Sequence, residues 1–150
     1  MSKPIIQVEG VKKLMDEMKA RQEKMEAQLG TAVKLAAQDV KNECVREISK
    51  GSRTGKTYKR RGVEHQASAP GEFPKTDTGR LVGSLAFRML NALTAIAGSI
   101  AGDSIVAEYA KSLEFGTRKM AARPFLVPAV EKMRPKFNDR CKKIMEAFGR

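Results

Sequence analysis

Residues 8–48, VEGVKKLMDEMKARQEKMEAQLGTAVKLAAQDVKNECVREI, decide how this chain begins to fold. Apolar side chains fall at Val11, Leu14, Met15, Met18, Met25, Leu29, Val33, Ala36, Val40, Cys44 and Ile48. Steps of three and four dominate, which lines one face of an α-helix and leaves Lys, Glu, Arg and Gln on the other. Gly30 falls inside this run, and a glycine there costs a helix about 1 kcal/mol. The stripe keeps its phase across it, so the stretch predicts one long amphipathic helix or two nearly collinear ones. A methionine-rich stripe can be an adaptable binding surface, although at this spacing plain core is the commoner use.

Composition bounds what the rest can be. A length of 150 residues suits one domain with a modest core, and 41% hydrophobic residues exclude a wholly disordered chain. There is no Trp, with two Tyr and six Phe, so the core leans on Ala, Val, Leu, Ile and the eight Met residues. The formal charge of +12 implies an acidic partner or surface without saying which. Cys44 and Cys141 lie far apart, His65 is the single histidine, and no metal-ligand spacing appears. No metal or cofactor is expected, and two thiols on apolar faces fit a reducing compartment. The first ten residues lack the apolar run of a signal peptide, and no stretch is apolar for the roughly eighteen residues of a membrane span.

Beyond the helix the character changes. Gly, Ser, Thr, Pro and basic residues crowd residues 50–77, predicting an extended basic loop or a weak hairpin. In the hairpin, KTYKR pairs with VEHQAS across Arg61-Gly62. Pro70-Gly71 and Pro74 then mark turns. At TDTGRLVGSL a short helix is expected, capped by Asp77 or Thr78, with Leu81 and Leu85 on one face. Two or three short strands with tight turns are expected, at about 86–90, 94–100 and 104–107, in a segment punctuated by Asn91, Gly98, Gly102 and Asp103, with a helix through 85–92 as the alternative. YAKSLEFGT reads as a helical turn ended by Gly116. The last helix begins near 125–128, tolerates Pro128 in its first turn and is kinked or split by Pro135. The sum is an α+β domain spanning residues 1–150: long N-terminal amphipathic helix, long basic loop or hairpin, small antiparallel sheet, and a C-terminal helix packed on the sheet.

Which chemistry do these residues allow? GSRTGKTYKRR, from Gly51, invites comparison with a phosphate-binding loop, but only three residues separate Gly51 from Gly55 where four are needed. A helix also precedes it where a strand should stand. Lys50, Arg53, Lys56, Tyr58, Lys59, Arg60 and Arg61 instead form a basic cluster suited to phosphates or to an acidic protein face, and the charge favours neither. Few aromatic platforms accompany it, and there is no helix-turn-helix or zinc pattern. Ser84 lacks the flanks of a nucleophile elbow, His65 sits in a polar loop, and the spaced pair Glu108 and Glu114 has no second polar cluster beside it. The sequence therefore predicts no enzyme.

Three blocks carry a further signal. Pro70, Pro74, Thr78, Gly79, Leu81 and Ser84 lie in the first. Tyr109, Ala110, Glu114, Phe115, Gly116 and Thr117 form the second, and Pro124, Phe125, Leu126, Pro128 and Ala129 the third. In this order and spacing, over about half of the chain, they resemble the tail-completion (head–tail joining) family of long-tailed double-stranded DNA bacteriophages. The sheet segment is richer in Ala than that family's pattern, and Pro135 departs from it. The resemblance implies a structural virion protein of the neck, made in the host bacterial cytoplasm and acting without chemistry. It implies a homo-oligomeric ring, a hexamer or dodecamer, contacting connector or head-completion proteins on one side and tail-tube proteins on the other. DNA would pass through the lumen without specific binding, and no membrane is involved. The basic-cluster residues are then candidate subunit or partner contacts, and the block residues are structural. The alternative is a basic nucleic-acid-binding accessory protein.

Overall fold

The computed structural model describes residues 10–50, 54–100 and 104–149. The fold is α+β. Helix α1 (Val11–Lys50) is followed by a hairpin of β1 (Thr57–Arg60) and β2 (Val63–Gln66), short helix α2 (Arg80–Ser84), and a second hairpin of β3 (Leu85–Asn91) and β4 (Thr94–Ser99). Helices α3 (Ser104–Phe115) and α4 (Leu126–Phe148) complete it. Both sheets are two-stranded and antiparallel.

Helix α1 is continuous through Gly30, and the packing explains the glycine. A Cβ at that position would stand 2.6 Å from the carbonyl oxygen of Ala92, in the turn of the second hairpin. The missing side chain lets that turn rest against the helix backbone. Asn91 shapes the turn by accepting the Leu93 N–H on Oδ1 at 3.0 Å.

Helix α4 runs antiparallel to α1 and packs chiefly along it, while its first turn reaches β4, where Leu126 lies beside Gly98. Ion pairs link the two helices. Lys132 Nζ stands 2.7 Å from Glu43 and 3.3 Å from Glu47, and Lys136 Nζ 3.1 Å from Asp39. Arg140 Nη1 approaches Asp39 Oδ2 to 2.7 Å, an ion-pair contact without hydrogen-bond alignment. Where these elements meet, Cys44, Ile48, Leu85, Ala110, Leu113, Phe125 and Ala129 form the buried core.

Three local expectations are corrected. The expected strand at 104–107 is the start of α3, because Val106, Ala110 and Leu113 bury one face at steps of four and three. Gly102 and Asp103, expected in the preceding turn, lie outside the described residues. Neither Asp77 nor Thr78 caps α2; the helix follows Gly79, which has φ 74° and no side-chain cap, while Asp77 is engaged by Arg60 and His65. Of the two outcomes expected of Pro135, a kink or a split, the split does not occur: α4 runs unbroken from Leu126 to Phe148. Proline removes the N–H that would have bonded to the Glu131 carbonyl. Both residues are exposed, so water can take that role.

Candidate functional site

The basic hairpin owes its shape to its turn. Arg61 (φ 53°) and Gly62 (φ 79°) both occupy the left-handed region, which matches the twist of a tight two-residue hairpin. The register pairs Tyr58 with His65 and Lys59 with Glu64. Side chains alternate between faces along a strand, so Tyr58 and Arg60 share one face and Lys59 the other. The Tyr58 and His65 rings stack with centroids 5.7 Å apart and planes 21° from parallel. Arg60 forms an ion pair with Asp77, and His65 Nδ1 lies 3.6 Å from the same carboxylate. This one acidic residue ties the hairpin to the segment leading into α2.

Between them lies a polar cleft of about 530 Å³. Strand β2 and the two residues after it form one wall, residues 74–77 a second, and Tyr109, Leu113 and Arg123 a third. Burial pushes the half-exposed Tyr109 phenol above its ordinary pKa; the Arg123 charge opposes that rise, and Tyr58 and Asp77 add to it. The Arg123 Nε is buried with no hydrogen-bond partner among the described residues.

The basic candidates therefore divide. Tyr58 and Arg60 line the cleft. Lys50, Lys56, Lys59 and Arg61 are exposed and do not line it, and Arg53 lies outside the described residues. Sequence reasoning passed over His65 as a loop residue and did not single out Arg123. His65 was traceable, since the expected pairing across Arg61-Gly62 puts it opposite Tyr58. Arg123 reaches the cleft only through tertiary packing.

The block residues have mostly structural occupations. Glu114 is buried and receives the N–H groups of Phe125 and Leu126 on Oε2 and of Val127 on Oε1, each at 2.9 Å. A carboxylate from α3 thus closes the first turn of α4, whose own N-cap residue, Phe125, supplies no side-chain bond. Gly116 (φ 76°) turns the chain back; a Cβ there would meet the Ala122 nitrogen at 2.9 Å. Pro74 and Phe125 are buried, Leu81 packs on the core, and Pro124 and Pro128 are partly buried beside the cap. Tyr109 belongs to the cleft. Thr78 is exposed, and Phe115 is 76% exposed, an apolar ring left uncovered.

In comparisons with known proteins, no family model, no curated protein and no solved structure matches the chain. The Ser84 hydroxyl is held by the Leu81 carbonyl and Ser99 Oγ, each at 2.7 Å. Burial, with the Glu114 and Glu43 charges behind it, pushes the Cys44 thiol up to about 12, where it stays protonated and unreactive. Among the described residues no group of side chains is arranged to hold a metal, and no helix is long and apolar enough to cross a membrane.

A second feature lies far from the cleft. Val11, Leu14, Met15 and Met18 are between 50% and 63% exposed on consecutive turns of α1. The end of α4 reaches this part of the helix: Arg21 donates to the Phe148 carbonyl, and Phe148 lines one cavity with Met15, Met18 and Met25. The first turns of α1 thus carry an apolar ridge that stays at least half exposed beside the end of α4.

Proposed function

We propose that the protein is a structural virion component of a phage neck or tail, acting as repeated copies in a ring that completes the tail and joins it to the DNA-filled head. The observation that carries this reading is the exposed apolar ridge on the first turns of α1. Monomeric proteins rarely leave a contiguous apolar surface uncovered, and a ring of identical subunits supplies a neighbour for every such face. The three-block resemblance supports the same reading, and the part that Glu114 and Gly116 play in shaping the backbone and Phe125 in filling the core suits blocks with an architectural role. The exposed Lys56, Lys59 and Arg61 of the hairpin suit contact with an acidic face of a neighbouring subunit or ring.

Removing the gene from a phage that encodes this chain tests the proposal. Filled heads and separate, unjoined tails are expected to accumulate. Normal joined particles in that strain would reject it. The net charge of +12 favours a second reading, a basic nucleic-acid-binding accessory protein. That reading requires duplex DNA binding whose affinity falls steeply with salt. Absence of retention on DNA by micromolar protein at physiological salt would eliminate it.

A further inference from the structure

We infer that the cleft beneath the basic hairpin is a peptide-binding groove, which takes an extended acidic segment of a protein partner and pairs one of its carboxylates with Arg123. The inference goes beyond the assembly reading and does not depend on it, because any acidic partner would satisfy it.

The shape of the cleft points to an extended ligand. Six consecutive residues, 63–68, line it. Tyr58 and Arg60 of β1 line it too, so the cavity lies over the hairpin face that carries Tyr58 and His65 and follows β2 along its whole length. The outer edge of β2 is open: among the described residues β1 is the only strand beside it. An open edge is where an added strand gains main-chain hydrogen bonds, with alternate side chains entering flanking pockets. Residues 74–77 and Tyr109 form the facing wall.

Charge selects the ligand. Arg60 is already neutralised by Asp77, and Lys59 stands opposite Glu64 across the hairpin. Arg123 lines the cleft and no carboxylate pairs with it among the described residues; its Nε is enclosed by protein, so only the terminal nitrogens are left to meet a ligand. Its backbone N–H donates to the Leu113 carbonyl at 2.7 Å, which fixes the side chain's root against α3. The terminal Nη–H groups of a guanidinium donate charge-assisted hydrogen bonds to a carboxylate. One single-charged carboxylate balances this site. A doubly charged phosphate would meet the resident Glu64 and Asp77.

The test uses the full chain and an array of short synthetic peptides randomised around a fixed central Glu or Gln. Binders are titrated in solution while the backbone amides are followed by NMR. Glu-centred peptides are expected to bind roughly tenfold more tightly than their Gln counterparts, with shifts at residues 63–68 and Tyr109. Arg123→Gln is expected to abolish that preference, and Arg123→Lys to retain part of it. No saturable binding by any Glu peptide, equal binding of the Gln peptides, or an undiminished preference in folded Arg123→Gln would each overturn the inference. Inorganic phosphate or a short single-stranded DNA that shifts the same amides at lower concentration would overturn it in favour of a phosphate site. If Arg123→Gln does not fold, judged by circular dichroism, the Glu-against-Gln comparison on the wild-type chain decides alone.

Discussion

The two hairpins of this protein are made from the same kind of unit and put to opposite uses. The β3–β4 hairpin is laid against α1. Leu85 at its start and Gly98 near its end are buried, and its turn touches the helix backbone at Gly30. The β1–β2 hairpin buries none of its strand residues, and Asp77 joins it to the body through Arg60 and His65. Sequence records the difference. One hairpin is rich in Ala and Leu, small and apolar enough to approach a helix; the other carries Lys, Arg, Glu and His, which remain solvated. A hairpin that buries little apolar surface contributes little to the fold, and what it contributes is a set of presented side chains. That is the physical case for placing function at the first hairpin and architecture at the second.

The contrast breaks first at Gly30. If the second hairpin is part of the framework, a side chain at Gly30 must push its turn away from α1. Gly30→Val is expected to lower unfolding stability by about 2 kcal/mol, since overpacking against backbone outweighs the helix propensity recovered on removing glycine. Urea denaturation followed by circular dichroism measures this. An unchanged or raised midpoint would mean that the helix and the turn do not touch.

The framework itself can be probed by pH. Burial is the largest single influence on both Asp39 and Glu43 and works upward. Lys136 and Arg140 around Asp39, and Lys132 and Arg46 around Glu43, outweigh it and hold both carboxyls below their ordinary values. A carboxyl depressed in the folded state stabilises that state fully above its unfolded pKa and loses the contribution as pH falls through the folded value. The melting temperature is therefore expected to drop by several degrees between about pH 6 and pH 3. Glu43→Gln should lower it at neutral pH by a margin that shrinks toward acid, where the wild-type carboxyl is itself protonated. A margin that stays constant with pH would contradict the role given to these pairs. Because Lys132 and Arg46 are about half exposed, high salt should narrow the margin too.

Much of this framework was legible in the sequence because it follows local rules. The stripe from Val11 to Ile48 gave α1, the Arg61-Gly62 dipeptide gave the first hairpin, and the runs around Phe87 and Ile96 gave the second. What escaped depended on partners distant in sequence. Glu114 reads as an isolated acid until the Phe125 turn is folded onto it. Asp77 reads as a helix cap until Arg60 competes for its carboxylate. The beginning of α3 reads as a strand because Ile105 and Val106 are β-branched, a local preference that helix packing at Ala110 and Leu113 overrides. Of the cleft, Tyr58 and Arg60 stood out as part of a basic cluster, whereas Arg123 has no local signal at all.

The smallest expected effect on stability is also the one that separates the two hairpins most directly. Asp77→Asn removes the charge that Arg60 and His65 share, so it should loosen β1–β2 without disturbing the core. The Arg60 side chain is half exposed, and such pairs contribute about 1 kcal/mol or less. Global stability is therefore expected to change by no more than that. Hydrogen exchange offers the sharper readout, because local opening is seen amide by amide. The β1–β2 amides should exchange faster in Asp77→Asn, whereas those of β3–β4 should keep wild-type protection. Equal acceleration in both would show that the hairpins open as one unit, and the division of labour between framework and presented surface would fall with it. Unchanged exchange at β1–β2 would leave the division standing but reassign what holds the first hairpin, from the Asp77 carboxylate to the Tyr58–His65 stack and the backbone pairing alone.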